Sequence, residues 1–594
     1  MISISISFCF FIYIFSGYLK FSKGDDQNYV IFASSLIFSI ASNGLIAMLL
    51  IASKTSYVPI CLIQLLIFFI FTDIKKFKNF STKILKKFLL DFSIIRINYG
   101  NFFIKLISFI LICLLLVSFG PINHSDTVKY YVGYPFQYFI ENSHFVDGDL
   151  GQGLLGIGDF ANLSYIQERS IWLIRVSQFL PIIPIILFLG KRKTSSFLIL
   201  IFISSPVFIQ WLSIGKITFL GDSCLSLIFL CWRNKPSVKY AFLTFCIGLI
   251  SVAIKISSLL IFVPLMLNIF YFYRSFIPTF LFNKINSQKN QFLIFTVSVA
   301  SLFSIMFYRF FLTGNFFFPL LSSLFNQGNA QLYDWEMMLR NFDRTGFYQL
   351  WLFFPKNTSK IGSILGPATG IFFLIKMIDF IKNLFLRNIL EFNIGFVQLI
   401  FLLAFSQGRA DYYFSPLLLL ICGSNKLFDK KTTIGGYFKV LRPYNLVKFF
   451  LIIQIFLFLI SSFYIVFLNF YTMLNYEVVM DKTAYGYYNS KLIQEKAKEP
   501  VLGLVTSPSR LFYNKKFVPN HKYWNCFKYS EQTFVGDKQK YCFDKLKVNT
   551  IIVEKNYFKD NKNYICETHL FRNTPRNIFR SSRYKVDFCR QNKN

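Results

Sequence analysis

Acidic groups and histidines gather in one stretch, HSDTVKYYVGYPFQYFIENSHFVDGDL at 124–150, directly behind an apolar run. A carboxylate at the lip of a membrane span, such as Asp126, is placed to take a proton from a hydroxyl, which is the work of a general base. The same position suits a helix cap, since Ser125 or Asp126 can satisfy free N–H groups at a helix start. Beyond it Val128, Tyr131, Val132, Pro135, Phe136 and Phe139 recur at spacings of three and four. That pattern predicts an amphipathic helix in the membrane interface with its apolar face toward lipid. Lys129, Tyr130, Gly133, Gln137 and Glu141 form its polar face. Across 121–170 the acids Asp126, Glu141, Asp147, Asp149, Asp159 and Glu168 are opposed only by Lys129 and Arg169. His124 and His144 could hold a divalent metal ion with Asp147 or Asp149, but the spacing fits no strict ligand pattern and no metal ligands are assigned. Tyr130, Tyr131, Tyr134 and Tyr138 suit either an interfacial aromatic belt or stacking against a sugar ring.

The elements that would position these groups are membrane spans. The 594 residues are 54% hydrophobic with a mean hydropathy of +0.48, and the apolar residues come in runs. Runs of roughly 17 to 25 apolar residues match the thickness of the hydrocarbon core. They fall at 3–19, 28–52, 57–72, 103–119, 171–189, 196–213, 217–232, 240–254, 256–273, 292–312, 361–380, 389–406, 411–423 and 448–469. About fourteen spans are therefore expected. No cationic residue precedes the first run and no small-residue cleavage site follows it, so it reads as a helix rather than a secretion signal.

Lysine and arginine collect in the loop expected at 73–102, in KRK at 191–193, in RNKPSVK at 233–239 and in NKLFDKKTTIGGYFKVLR at 425–442. The positive-inside rule puts these segments in the cytoplasm. The loops 120–170, 313–360 and 407–410, with everything after 470, then fall on the opposite side. The net charge of +34 is accounted for by this orientation signal, and no nucleic-acid partner is expected.

Residues 1–470 thus form a helical membrane domain with its first outer loop at 120–170, and 471–594 form a small extracytoplasmic domain. VLGLVT at 501–506 and VNTIIVEK at 548–555 read as short buried strands, so the second domain is expected to be α/β or α+β. Cys526, Cys542, Cys566 and Cys589 lie in it, while the other cysteines lie in apolar runs. Four cysteines on an oxidising side suggest two disulfides, with three pairings open.

The outer loop after an early span, opening with an acid and followed by a juxtamembrane helix, resembles the first outer loop of GT-C glycosyltransferases. The nearest likeness is to the lipid A aminoarabinose transferase, the protein O-mannosyltransferases and the rhizobial lipopolysaccharide glycosyltransferases. DTVKYY is similar to the variant D-S-x-x-Y-H, with Asp126 on the catalytic acid and Tyr131 where His is common. GLISVAIKISSLLIFVPL at 248–265 resembles the span with a lone lysine near its outer end, here Lys255. TGNFFFPLLSSLF at 313–325 is similar to TGNPxxP, with Phe316 where Pro is usual. GRADYYFSPLLLL at 408–420 resembles R-Y-x-x-P, with Arg409, Tyr412, Tyr413 and Pro416. The resemblance covers about 100 to 470.

It implies transfer of a sugar from a polyprenyl-phosphate carrier to a glycan, lipid or protein acceptor of the cell envelope, at the outer face of a bacterial cytoplasmic membrane. Asp126 would be the base, and Lys255 and Arg409 would bind the donor phosphate. Tyr130, Tyr131, Glu141, Asp147, Asp149 and Tyr412 are candidates for sugar or acceptor binding. Two other classes share many spans: a lipid-linked oligosaccharide polymerase or ligase, and a transporter. Lys105, Arg175, Lys216, Asp222 and Lys255 are the ionisable residues a transporter would need inside its helices.

Overall fold

The computed structural model describes residues 1–19, 26–98, 100–141, 150–273, 289–318, 352–354, 364–384, 394–405, 412–422, 443–504, 510–513, 517–518, 523, 526–527, 530–532, 534–558, 564–573 and 582–591. The chain opens with α1 (Ile2–Leu19), α2 (Gln27–Ala52), α3 (Ile60–Phe71), α4 (Ile74–Asn98) and α5 (Asn101–Ser118). A π-helical turn at Thr127–Tyr131 leads into α6 (Gly133–Glu141), and α7 (Ile157–Gln167) follows. Next come α8 (Ile174–Phe179), α9 (Ile182–Lys191), α10 (Ser196–Ile203), α11 (Val207–Ile214), α12 (Thr218–Asn234), α13 (Val238–Ile254) and α14 (Leu259–Phe272). The bundle is completed by α15 (Lys289–Thr313), α16 (Pro367–Leu384), α17 (Ile394–Phe405), α18 (Phe414–Cys422) and α19 (Pro443–Leu474). Two short helices, α20 (Tyr476–Thr483) and α21 (Tyr487–Lys496), lead into a sheet that also carries α22 (Val535–Lys545).

Each apolar run of the sequence carries helix among its described residues, but the helices differ in length. Among the described residues six are long and apolar enough to cross a membrane: α1, α2, α5, Ile171–Lys191, α15 and Asn445–Leu474. The pair α10 and α11, bent by 48° at its break, makes a seventh. The protein is thus a mostly helical membrane protein with a small C-terminal sheet. Proline and serine account for the bend: Ser204, Ser205 and Pro206 interrupt the ladder, and proline cannot donate to it. The carbonyl of Ile201 instead accepts from Gln454 Nε2 at 2.8 Å, and Ser205 Oγ donates to Leu365 O at 2.7 Å.

Side-chain contacts sort the connections to two ends. At one end Tyr29 Oη donates to Asp91 Oδ2 at 2.7 Å, Lys191 Nζ lies 3.6 Å from Asp91, Arg192 pairs with Asp26 at 3.2 Å, and Lys239 Nζ reaches Tyr18 O at 3.0 Å. At the other, Ser56 Oγ donates to Tyr138 O at 3.0 Å, Gln167 Nε2 to Val58 O at 2.8 Å, and Ser3 N to Glu168 Oε1 at 2.7 Å. Asp26 and Ser56 flank the same helix, so the two sets are separated by roughly 40 Å at 1.5 Å per residue. The basic segments around 191 and 239 therefore meet at one end and the described parts of the acidic 120–170 loop lie at the other, as the charge pattern predicts.

Two expectations need correction. The basic segment 73–102 is not a loop: most of it is α4, because Phe77, Phe80, Ile84, Phe88 and Ile95 recur at helical spacing between the lysines. The helix after Asp126 does not turn its apolar face to lipid. Val128, Val132, Tyr134, Pro135 and Tyr138 are buried in the bundle core, where protein rather than lipid covers them.

Small residues let helices cross closely around that loop. A Cβ at Gly44 on α2 would stand 2.1 Å from Ile157 O, and one at Gly156 would stand 1.8 Å from Ile254 O. Gly44→Ala should therefore cost about 2 kcal/mol, the usual scale for overpacking a tight contact. Thermal unfolding in detergent checks this, and an unchanged midpoint would mean the α2–α7 crossing opens freely.

Beyond α21 the five strands are β1 (Val501–Gly503), β2 (Phe517–Val518), β3 (Thr550–Glu554), β4 (Tyr564–Asn573) and β5 (Ser582–Gln591), ordered β2-β1-β3-β5-β4. β1 is parallel to β2 and β3, whereas β5 is antiparallel to β3 and β4. Alternating side chains feed two cores: Val501, Ile552 and Phe588 meet Ile493 of α21, while Leu502, Ile551 and Val553 meet Phe543 of α22. Both expected strands exist and are covered on both faces, an α/β arrangement. The four tail cysteines pair as Cys526–Cys542 and Cys566–Cys589, with Cα separations of 5.7 and 4.1 Å. Tyr485 N donates to Asn123 O at 3.2 Å, and Leu511 and Phe512 pack against the bundle core, so the tail rests on the end that carries Asp126.

Candidate functional site

Asp126 sits beyond the end of α5, at the start of the π-helical turn, yet its side chain makes no capping bond there. Lys216 Nζ instead donates to Asp126 Oδ2 at 2.7 Å. Asp126 is 37% exposed and Lys216 13%, so the carboxylate stays reachable while the ammonium stands behind it. Lys216 is held in place by the turn between α11 and α12. Gly215, with φ +75°, ends α11 in the left-handed region that favours glycine, and Thr127 Oγ1 donates to Ile214 O at 2.7 Å. The Lys216 ammonium also stands 5.0 Å from the Tyr131 ring centroid. His124 Nδ1 accepts from Asp126 N at 3.2 Å.

A buried arginine fixes the two chain segments that meet in this pair. Arg175 on α8 donates through Nε to Leu212 O at 3.1 Å, through Nη1 to Pro121 O at 2.9 Å, and through Nη2 to Val117 O. It thereby ties the end of α5 and the loop before Asp126 to the end of α11 before Lys216. Asn469 of α19 adds a bond to Leu116 O at 3.2 Å.

Behind the pair lies a second carboxylate. Asp159 is 5% exposed, and its Oδ2 accepts from Gly156 N at 2.8 Å, closing the first turn of α7. Burial pushes its carboxyl up to about 7, against the pull of Lys216, Lys255 and Arg309. Arg309 donates from α15 to Gly153 O at 3.2 Å and to Leu155 O at 3.4 Å. Lys255, just past α13, lies 4.5 Å from the Tyr412 ring centroid. The TGN segment follows Arg309 directly: Thr313 Oγ1 donates to Arg309 O at 2.8 Å and Asn315 Oδ1 accepts from Phe317 N at 2.8 Å. Lys216 thus contacts the half-exposed Asp126 directly, and Lys216, Lys255 and Arg309 all act on the buried Asp159, a concentration of positive charge that favours an anion near these acids.

Raising the folded pKa of an acid means stability is greatest below its unfolded value near 4 and is lost as pH rises through about 7. Asp159→Asn, which cannot ionise, should flatten the fall in unfolding midpoint across that window. A fall identical to that of the unaltered protein would assign the pH dependence elsewhere.

Of the residues singled out in the sequence, Asp126, Tyr131 and Lys255 lie in this region, with Tyr412 beside Lys255. Tyr130 stacks on Tyr134 at 6.2 Å, and Glu141 accepts from Gln137 Nε2 at 2.7 Å in an exposed position one helix farther on. Arg409, His144, Asp147 and Asp149 lie outside the described residues. Among the described residues no three His, Cys, Asp or Glu side chains gather as metal ligands. Asp222 is buried in α12 and accepts from Ser258 Oγ at 2.7 Å, one turn inside the end that carries Lys216 and Lys255.

Lys216 and Arg309 carry no motif, and the pairing of Lys216 with Asp126 joins residues far apart in the chain. The only signal in sequence is a lone cation near the end of an apolar run. No family model, no curated protein and no solved structure matches the chain.

Proposed function

We propose that the protein is a membrane glycosyltransferase of GT-C type, moving a sugar from a polyprenyl-phosphate carrier to an acceptor hydroxyl of the cell envelope. The observation that carries this reading is Asp126, reachable from solvent, free of any capping bond and paired at 2.7 Å with Lys216 among further cations. Its carboxylate takes the proton of the acceptor hydroxyl as that oxygen attacks the anomeric carbon. The bond from that carbon to the carrier phosphate breaks, and the departing phosphate is met by Lys216 and Lys255, with Arg409 as the planar fork. The Lys216 contact keeps the carboxylate aimed. In this reading the shorter apolar helices complete about fourteen spans, the end bearing Asp126 and the tail is extracytoplasmic, and the membrane is a bacterial inner membrane. The paired tail cysteines and the basic character of the opposite end support that orientation.

Purified protein incubated with a panel of polyprenyl-phosphate sugars and a membrane glycolipid fraction should release free carrier phosphate from one donor. Arg409→Ala should raise KM and lower kcat together, because a phosphate contact exists in ground and transition states alike. No release from any donor would sink the assignment. A transporter is the second reading, favoured by the buried Asp222–Ser258 contact inside the helices. Sugar or ion uptake into proteoliposomes that survives Asp126→Asn and fails in Asp222→Asn would select it.

A further inference from the structure

At the opposite end of the bundle, α4 touches four helices in turn. Phe77 meets Phe68 of α3 at 5.6 Å, Phe80 meets Tyr13 of α1 at 6.3 Å, and Phe88 meets Tyr29 and Phe32 of α2 at 5.8 and 5.6 Å. Farther along, Ile95 seats against Gly190 of α9, where a Cβ would stand 2.6 Å from Ile95 Cγ1. A helix that crosses four neighbours near their ends runs across the spans and so lies along the membrane plane. Buried Asp91 locks it there, accepting from Tyr29 Oη at 2.7 Å and Asn28 Nδ2 at 3.1 Å.

Its two remaining faces differ in their main residues. At 100° per residue Ile74, Leu85, Leu89 and Phe92 form one strip beside the docked face, and they are 57, 61, 62 and 54% exposed. Lys75, Lys83 and Lys86 lie on the far side of the helix, all exposed, with exposed Leu90 between them. Lys78 near the start of the helix falls within the apolar strip, where its long stem can carry the ammonium to the headgroups. Docked face, apolar strip and cationic strip follow one another around the helix, which is the order that bundle, acyl chains and headgroups impose at a membrane surface.

We propose that α4 is an in-plane anchor that binds anionic phospholipid headgroups through its cationic strip, with its apolar strip among the acyl chains. Phosphate diesters of the headgroup layer supply the complementary charge at the depth of the lysines, and each lysine near such a surface contributes measurable affinity. This surface is independent of the chemistry at the other end of the bundle.

Full-length protein reconstituted in nanodiscs of phosphatidylcholine with phosphatidylglycerol tests it, using spin-labelled versions of each lipid to count those held at the protein. The unaltered chain should hold phosphatidylglycerol in excess over phosphatidylcholine, and the excess should shrink as salt rises. Lys75→Gln/Lys83→Gln/Lys86→Gln should cut that excess roughly threefold or more, while the matching Lys→Arg triple retains it. No excess, or an excess untouched by the glutamine triple, overturns the proposal. Should the glutamine triple fail to fold, Leu89→Trp in the native background gives a second reading. Its added fluorescence should be quenched by phosphatidylglycerol brominated in the acyl chain, and no added quenching would remove α4 from the membrane.

Discussion

Asp126→Asn should leave the protein folded and membrane-inserted while lowering sugar transfer by about two to four orders of magnitude, the scale for losing a general base. Asparagine keeps the size of the side chain and can still accept a bond from Lys216 through its amide oxygen, so the turn from Thr127 onward retains its anchor on Ile214 O. It cannot take a proton from an acceptor hydroxyl. The comparison needs two readouts on one preparation: carrier-phosphate release, and thermal unfolding as the check on folding. Near-normal transfer by the variant would leave Asp126 as a structural partner of Lys216, and the base would then be sought at Glu141, Asp147, Asp149 or Asp159.

Arg175→Met should be comparably damaging by a different route. Methionine fills much of the same volume but offers no donor to Leu212 O, Pro121 O and Val117 O, which lie where water has little access. Val117 O keeps a bond from Asn469 Nδ2 at 3.3 Å, so Leu212 O and Pro121 O are the carbonyls that suffer. Each buried carbonyl left unpaired costs about 1–3 kcal/mol, offset in part because the arginine's own desolvation is no longer needed. A net loss of about 3 kcal/mol is expected. The loop before Asp126 and the end of α11 would lose their common tie, and displacement of reacting groups by about 1 Å can lower turnover by about two orders of magnitude. The discriminating measurement is kcat under conditions where the variant is fully folded, for instance well below its melting midpoint. A variant that is less stable but turns over normally would reduce Arg175 to a packing residue.

The mostly helical apolar part, the two buried strands and the cysteine-bearing tail were legible because each is a local pattern: hydrophobic runs, short β-branched stretches, and four cysteines outside the apolar segments. The helical nature of 74–98 was hidden by its lysines, which mark a side of the membrane and mask the spacing of Phe77, Phe80, Ile84 and Phe88. At 128–138 the periodicity gave the helix, and it could not say whether lipid or protein would cover the apolar face, since both reward the same side chains. Asp126 stood out by its place after a span. Its pairing with Lys216 did not, because the contact depends on the left-handed turn at Gly215 and on Arg175 joining three chain segments. Such ties between distant residues leave no periodic trace.

The break between α10 and α11 has a consequence for the timing of assembly. The Ile201 carbonyl released by the bend accepts from Gln454 Nε2, 253 residues later, and the oxygen of that side-chain amide accepts from Thr369 N at 3.1 Å. During synthesis the bent span must therefore enter the bilayer long before its partner has been made. A polar gap at this depth stays open until α19 arrives, so that last helix works as a keystone, closing a seam that earlier helices can only hold apart. Gln454→Leu should then be tolerated at the stage of insertion yet slow the passage to a protease-resistant bundle, which a pulse-chase of protease resistance would resolve.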